Sequence, residues 1–176
     1  MSGLATRYAR ALADLAADPA QLEGWGAELE RLAALAADPQ ARTFFEAPEL
    51  SHQARIEAVG RIAERLGLSF PLRSFAVVLA RHRRLGELRA IAMAYRELTD
   101  LRLGRARATL TFAFAPGDEQ VARVVEGLAA IARRTIIPTV KVDGTLLGGV
   151  VAELEGKTYD GSLATMIAEA ERRLTK

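Results

Sequence analysis

Apolar residues recur every three or four positions through the first hundred residues, a period that predicts helix after helix. Leu4, Tyr8, Leu12 and Leu15 form the first stripe, with Ala9, Ala11 and Ala16 filling it in. Asp18-Pro19 then supplies an N-cap followed by proline at the first helical position, opening a helix marked by Leu22, Trp25, Leu29, Leu32 and Leu35. Asp38-Pro39 repeats that signal for a short third helix carrying Phe44 and Phe45. After Pro48 and Ser51, the residues Ile56, Val59, Ile62 and Leu66 mark a fourth, and Gly67 ends it. Ser69-Phe70-Pro71 opens a fifth with Leu72, Phe75, Val78 and Leu79, and Leu85, Leu88, Ile91, Tyr95 and Leu98 mark a sixth. Six amphipathic helices joined by short connections predict a compact bundle.

Around Gly104 the period changes. Residues 109–115 (TLTFAFA) alternate and are rich in β formers, the pattern of a strand. Pro116-Gly117-Asp118 leads into a helix with Val121, Val124, Val125, Leu128 and Ile131. Thr139 to Val142, Asp143-Gly144 and the residues from Thr145 onward predict a hairpin, because Asp-Gly tolerates the positive φ of a two-residue turn. Gly148-Gly149 predicts a bulge or a close backbone approach. Glu155-Gly156 predicts a further turn before Lys157 to Tyr159, and Asp160 or Ser162 would cap a last helix with Leu163, Met166, Ile167, Ala170 and Leu174. The expected fold class is therefore α+β: an N-terminal six-helix bundle over residues 1–104, then a small α/β C-terminal domain over residues 105–176.

Composition narrows the class. Half of the 176 residues are apolar and 26% are charged, as in a soluble globular protein with a real core. No apolar run reaches the roughly 18–20 residues that span a bilayer, and Met1-Ser2-Gly3-Leu4 lacks the charged-then-apolar order of a signal peptide. With no cysteine there is no disulfide framework and no thiolate metal site, which fits a cytoplasmic protein. Net charge is +2, but between Arg81 and Arg107 eight arginines face three carboxylates.

Candidate chemistry is sparse. Gly156-Lys157-Thr158 looks like the end of a phosphate-binding loop, but that motif needs glycine where Val151 stands and a helix starting at the lysine. Gly24-Trp25-Gly26 lacks both a preceding strand and a third glycine, since Leu29 occupies its place. Two glycines there suit close helix packing beside Trp25. His52 and His82 have no cysteine or carboxylate at ligand spacing, which favours surface histidines over a metal site. Ser74, His82 and Asp100 can be drawn as a triad, but no nucleophile elbow or oxyanion-hole glycine surrounds the serine. Arg81-His82-Arg83-Arg84 suits the negative end of a helix dipole. RNA binding would want aromatic residues interleaved among the arginines, and Tyr95 alone does not supply them. A nucleic-acid-binding module using the stretch from Arg81 to Arg107 is the alternative. What remains is apolar surface: a groove between the first and fifth helices, lined by small and aromatic residues, can accept a third amphipathic helix.

Three segments carry a family resemblance. Leu4-Ala5-Thr6-Arg7-Tyr8-Ala9-Arg10-Ala11-Leu12 resembles the opening helix of the δ subunit of bacterial F-type ATP synthase, called OSCP in mitochondria. Leu79-Ala80-Arg81-His82-Arg83-Arg84-Leu85 is similar to its middle segment, and Gly148-Gly149-Val150 with Asp160-Gly161-Ser162 to its C-terminal signature. The match runs in order across essentially the whole length. It departs from the usual pattern at Glu155-Gly156 and at Ala164-Thr165-Met166.

The resemblance implies a non-catalytic stator subunit, without cofactor or metal, that links the catalytic head to the peripheral stalk so that proton transport is coupled to ATP synthesis. It implies that Tyr8, Ala9, Leu12, Leu15, Phe75, Val78 and Leu79 grip the N-terminal helix of an α subunit. It further implies that the C-terminal domain, with Gly148, Gly149, Asp160, Gly161 and Ser162, docks on the C-terminal ends of the b subunits. One copy per complex is implied, at the cytoplasmic face of the bacterial inner membrane, reaching the membrane only through the complex and binding no nucleic acid.

Overall fold

The structure, a computed structural model, describes residues 3–46 and 51–162. The chain divides into two compact units, Met1–Thr99 and Asp100–Lys176. The first holds α1 (Gly3–Ala13), α2 (Pro19–Ala37), α3 (Pro39–Glu46), α4 (His52–Arg65) and α5 (Phe70–Arg81). A single 3-10 turn, Leu85–Glu87, then leads into α6 (Leu88–Arg102), within which the division falls.

The helix limits follow local chemistry. The Asp18 carboxylate accepts from the Gln21 N–H at 2.8 Å, and the Gln21 side chain in turn accepts from the Ala17 N–H at 3.2 Å. Asp38 ends α2 and starts α3, its carboxylate accepting from the N–H groups of Gln40 and Ala41. Ser51 caps α4 by accepting from the Ala54 N–H at 3.1 Å. At the other end Gly67 takes φ +64°, which lets the Leu68 N–H donate back to the Ala63 carbonyl. Ser69 precedes α5, but its hydroxyl does not cap the helix. That hydroxyl and the Ser69 N–H both donate to the Glu28 carboxylate on α2, at 2.9 and 2.7 Å.

Leu29, Leu72, Leu79, Leu88 and Ile91 are fully buried in the core of this unit, together with Tyr95. The Tyr95 hydroxyl donates to the Leu22 carbonyl at 3.0 Å, meeting the requirement that a buried hydroxyl find a partner. The Tyr95 ring lies against Gly26, where an added Cβ would stand 3.5 Å from it. Gly26 thus makes room between α2 and α6, whereas Gly24 faces open space.

In the second unit β1 (Arg105–Phe112), α7 (Asp118–Ala132), β2 (Thr135–Val142), β3 (Gly149–Leu154) and β4 (Lys157–Ser162) form a four-stranded sheet, ordered β2-β1-β3-β4, and its helix. β1 and β2 are parallel and joined through α7, while β1 with β3, and β3 with β4, are antiparallel. Ala106, Ala108, Leu110 and Phe112 point from β1 to the helix side, where they pack with Ile136, Ala152, Leu154 and Leu128. Val121, Val124 and Val125 add to that core, but Ile131 is exposed.

The hairpin predicted at Asp143-Gly144 does not form, because β1 lies between β2 and β3. Because β2 runs parallel to β1, the chain crosses back through α7 between them, and β3 pairs with the other side of β1. Asp143 instead accepts from the Thr145 hydroxyl at 2.7 Å and from its N–H at 2.9 Å, and these bonds hold its carboxyl below the ordinary carboxylate range. The turn predicted at Glu155-Gly156 does form, with φ +49° and +78° and Leu154 opposite Lys157. Gly156-Lys157-Thr158 therefore belongs to a hairpin and cradles no phosphate. Asp160 and Ser162 lie in β4, and the helix they are expected to cap, from Leu163, lies outside the described residues.

The Tyr95 anchor can be tested by Tyr95→Phe, which keeps the ring and removes the bond to Leu22. Urea unfolding should show a loss of about 1 kcal/mol, a fall of roughly 2–4 °C in melting midpoint. An unchanged midpoint would show that the bond does not contribute.

Candidate partner-binding surfaces

The buried face of α1 carries Ala5, Ala9, Leu12 and Ala13, and that of α5 carries Leu72, Ala76, Leu79 and Ala80. Small side chains seat both helices close to the core and leave the larger ones beside them at the rim. Tyr8 and Phe75, both half-buried, meet there edge to face, with ring centroids 6.2 Å apart and planes at 75°. Leu15 and Val78 are 68% and 39% exposed. Leu15 lies beyond the end of α1, its N–H donating to the Leu12 carbonyl at 3.2 Å.

The seven head-facing residues inferred from sequence thus split by depth. Ala9, Leu12 and Leu79 belong to the bundle core, at no more than 1% exposure, while Tyr8 and Phe75 meet half-buried at the α1–α5 edge and Leu15 and Val78 are exposed. Phe70, exposed at the start of α5, was not among them. It borders a shallow hollow of about 380 Å³ with Ser74, Val77 and Val78. Its position four residues before Ser74 and eight before Val78 was the available signal.

The C-terminal signature is assembled by strand register. Gly149 stands opposite Ser162, Val150 opposite Gly161 and Val151 opposite Asp160. Gly148 and Gly149 have φ of +155° and +84°, and they form the entrance to β3, not a bulge within it. A Cβ on Gly161 would stand 3.3 Å from the Val150 carbonyl oxygen, so this glycine permits a close backbone approach. Beside them, at the carboxyl end of β1, is a hollow of about 440 Å³ lined by Phe112, Phe114, Arg123, Val124, Gly149 and Val150. Phe114 and Leu147 are each about three-quarters exposed nearby in the sequence order of these strand ends.

The arrangement offers apolar surface and little chemistry. Among the described residues no group of three His, Cys, Asp or Glu side chains could hold a metal ion, and both histidines are exposed. Asp100 of the drawn triad is engaged by Arg107 at 2.5 and 3.2 Å. Of the eight arginines from Arg81 to Arg107, four are already partnered. Arg96 pairs with Glu30 at 3.7 Å, Arg107 pairs with Asp100, and Arg102 and Arg105 also have partners.

A model of the ATP synthase delta (OSCP) subunit family matches residues 4–174. The chain belongs to this family. An ATP synthase subunit delta from Anaeromyxobacter sp. (strain Fw109-5) is 33% identical over 175 residues, covering 99% of this chain and 98% of the relative. One from Paracoccus denitrificans is also 33% identical, over 97% of this chain and 92% of the relative. A chain in a cryo-EM structure of the Toxoplasma gondii mitochondrial ATP synthase hexamer shares the fold, with TM-score 0.66 and 20% identity over 99% of each chain. As a member of the δ/OSCP family, the chain is a non-catalytic stator subunit of F-type ATP synthase, serving ATP synthesis and proton transport. No helix among the described residues is long and apolar enough to cross a membrane.

The signature geometry predicts the effect of Gly149→Val. A β-branched residue at φ +84° should cost about 1–3 kcal/mol. Amide hydrogen exchange should accelerate in β3 and β4 and stay unchanged in α1 to α6. Unaltered exchange in β3 would show that the position tolerates a side chain.

Proposed function

We propose that the chain joins the catalytic head of the ATP synthase to its peripheral stalk through two separate surfaces. Residues 1–104 bind the N-terminal amphipathic helix of an α subunit along the α1–α5 edge. Residues 105–176 bind the C-terminal ends of the b subunits. A single copy serves each complex, at the cytoplasmic face of the membrane, which it reaches only through the other subunits. The observation that supports this is the Tyr8–Phe75 ring pair across α1 and α5, with Leu15 and Val78 exposed on the same two segments and the buried faces of both helices already filled. A third amphipathic helix laid along that strip would bury it, the helix-in-groove mode of peptide recognition. Half of the arginines from Arg81 to Arg107 are already partnered, which favours this reading over a nucleic-acid module.

Calorimetric titration with a peptide of the first twenty or so residues of an α subunit tests the head-facing surface. Leu15→Asp with Val78→Asp alters only exposed positions and should leave the circular dichroism spectrum intact. Affinity should fall about 10- to 100-fold, as loss of two apolar contacts implies. Unchanged affinity in a folded double variant would overturn the assignment of this edge.

A further inference from the structure

The two helices that form the apolar edge contain no acidic residue between them. α1 (GLATRYARALA) carries Arg7 and Arg10, and α5 (FPLRSFAVVLAR) carries Arg73 and Arg81. Arg73 is balanced by Glu64 at 3.3 Å. Arg7, Arg10 and Arg81 are exposed, and no ion pair among the described residues engages them. Asp14, just beyond α1, already has a partner.

The end of α5 extends this excess. Arg83 takes φ +56°, so that its N–H donates to the Ala80 carbonyl at 3.1 Å and the Arg84 N–H to that of Leu79 at 2.8 Å. The His82 N–H takes the Val78 carbonyl at 3.0 Å. The carbonyls of Val78, Leu79 and Ala80 are thus closed by main chain, and the arginine side chains are not needed to cap them. Arg81, His82, Arg83 and Arg84 are all exposed.

We infer that the partner helix bound at the α1–α5 edge is acidic along its flanks, its carboxylates lying against Arg7 and the Arg81–Arg84 knuckle. The inference rests on the head-facing role proposed above and adds what selects the partner. The apolar strip alone would accept any amphipathic helix of suitable width. A rim of unpaired guanidinium groups raises the encounter rate of an acidic helix and penalises a basic one. Arginine also accepts carboxylates in a bidentate fork, which adds geometric selectivity.

The test compares the α-subunit N-terminal peptide with the same peptide in which every Asp and Glu is replaced by Asn or Gln. Binding of both is measured by calorimetry at about 50 mM and about 500 mM salt, conditions that respectively preserve and screen long-range attraction between charges. The acidic peptide should bind about tenfold more tightly at low salt, with the difference largely lost at high salt. The triple variant Arg7→Gln, Arg81→Gln, Arg84→Gln should abolish the preference and leave binding of the neutral peptide unchanged. Equal binding of the two peptides, or a natural peptide with no acidic residue, would overturn the inference and leave the edge assignment standing. Binding of neither would overturn both. A single-stranded RNA twenty-mer that binds more tightly than the peptide, and loses affinity in the triple variant, would overturn it in favour of a nucleic-acid partner.

Discussion

Alanines at positions 5, 9 and 13 of α1, and 76 and 80 of α5, set how deeply these helices sit in the bundle. A buried alanine contributes little hydrophobic free energy itself, but it lets the helix axis approach its neighbours closely. Once the axes are fixed, Tyr8 and Phe75 have no room underneath and are carried to the rim, where they meet edge to face. Val78, three residues past Phe75 on the same side of α5, then has only solvent over much of its surface. The apolar edge is thus a by-product of a small-residue core. Replacing any of those alanines with a larger residue would move the edge without touching it, by the overpacking that close-packed cores resist.

The sheet of the second unit obeys a different constraint. β1 presents Ala106, Ala108, Leu110 and Phe112 to the helix side and must be covered along its whole length. That requirement places it centrally and sends β2 to an edge, where Pro138 is tolerated because its missing N–H costs no ladder bond if it faces outward. On the other flank β3 runs back along β1, and the turn at Glu155-Gly156 returns β4 beside it. The glycines of the signature then follow from backbone demands, positive φ at the start of β3 and close approach at Gly161. None of them needs to be a contact residue to be required.

These two constraints explain which features were legible in the sequence. Helix starts rest on chemistry within four residues, so Asp18-Pro19, Asp38-Pro39 and Ser51 located them correctly. The Glu155-Gly156 turn is equally local. Asp143-Gly144 misled because the same dipeptide that permits a tight hairpin also forms an Asx turn, and only the placement of β1 decides between them. β1 and β2 each begin earlier than their β formers announce: Arg105 to Ala108 alternate charge with alanine, and Pro138 interrupts the run from Thr135. At the candidate site, helical period groups Leu12 with Tyr8 and Leu79 with Phe75, each pair four residues apart on one helix. Period reports which way a side chain points and not how deep it lies, so it could not separate the core residues from the exposed edge.

On the proposed reading, the two units arrive at binding surfaces by different physical routes, and the difference bears on how a stator subunit can work without catalytic machinery. In the first, a surplus of apolar side chain is left over after the core has closed. In the second, glycines at positive φ open β3 where Phe112, Phe114 and Val150 line a hollow. Neither surface calls for a perturbed titratable group, and the lowered carboxyl of Asp143 is accounted for by its own turn. Two modest contacts made by one chain on one assembly strengthen each other through effective concentration. On the proposed reading, retention within the complex is therefore a property of the pair of surfaces, and each can stay weak enough alone to permit assembly in either order.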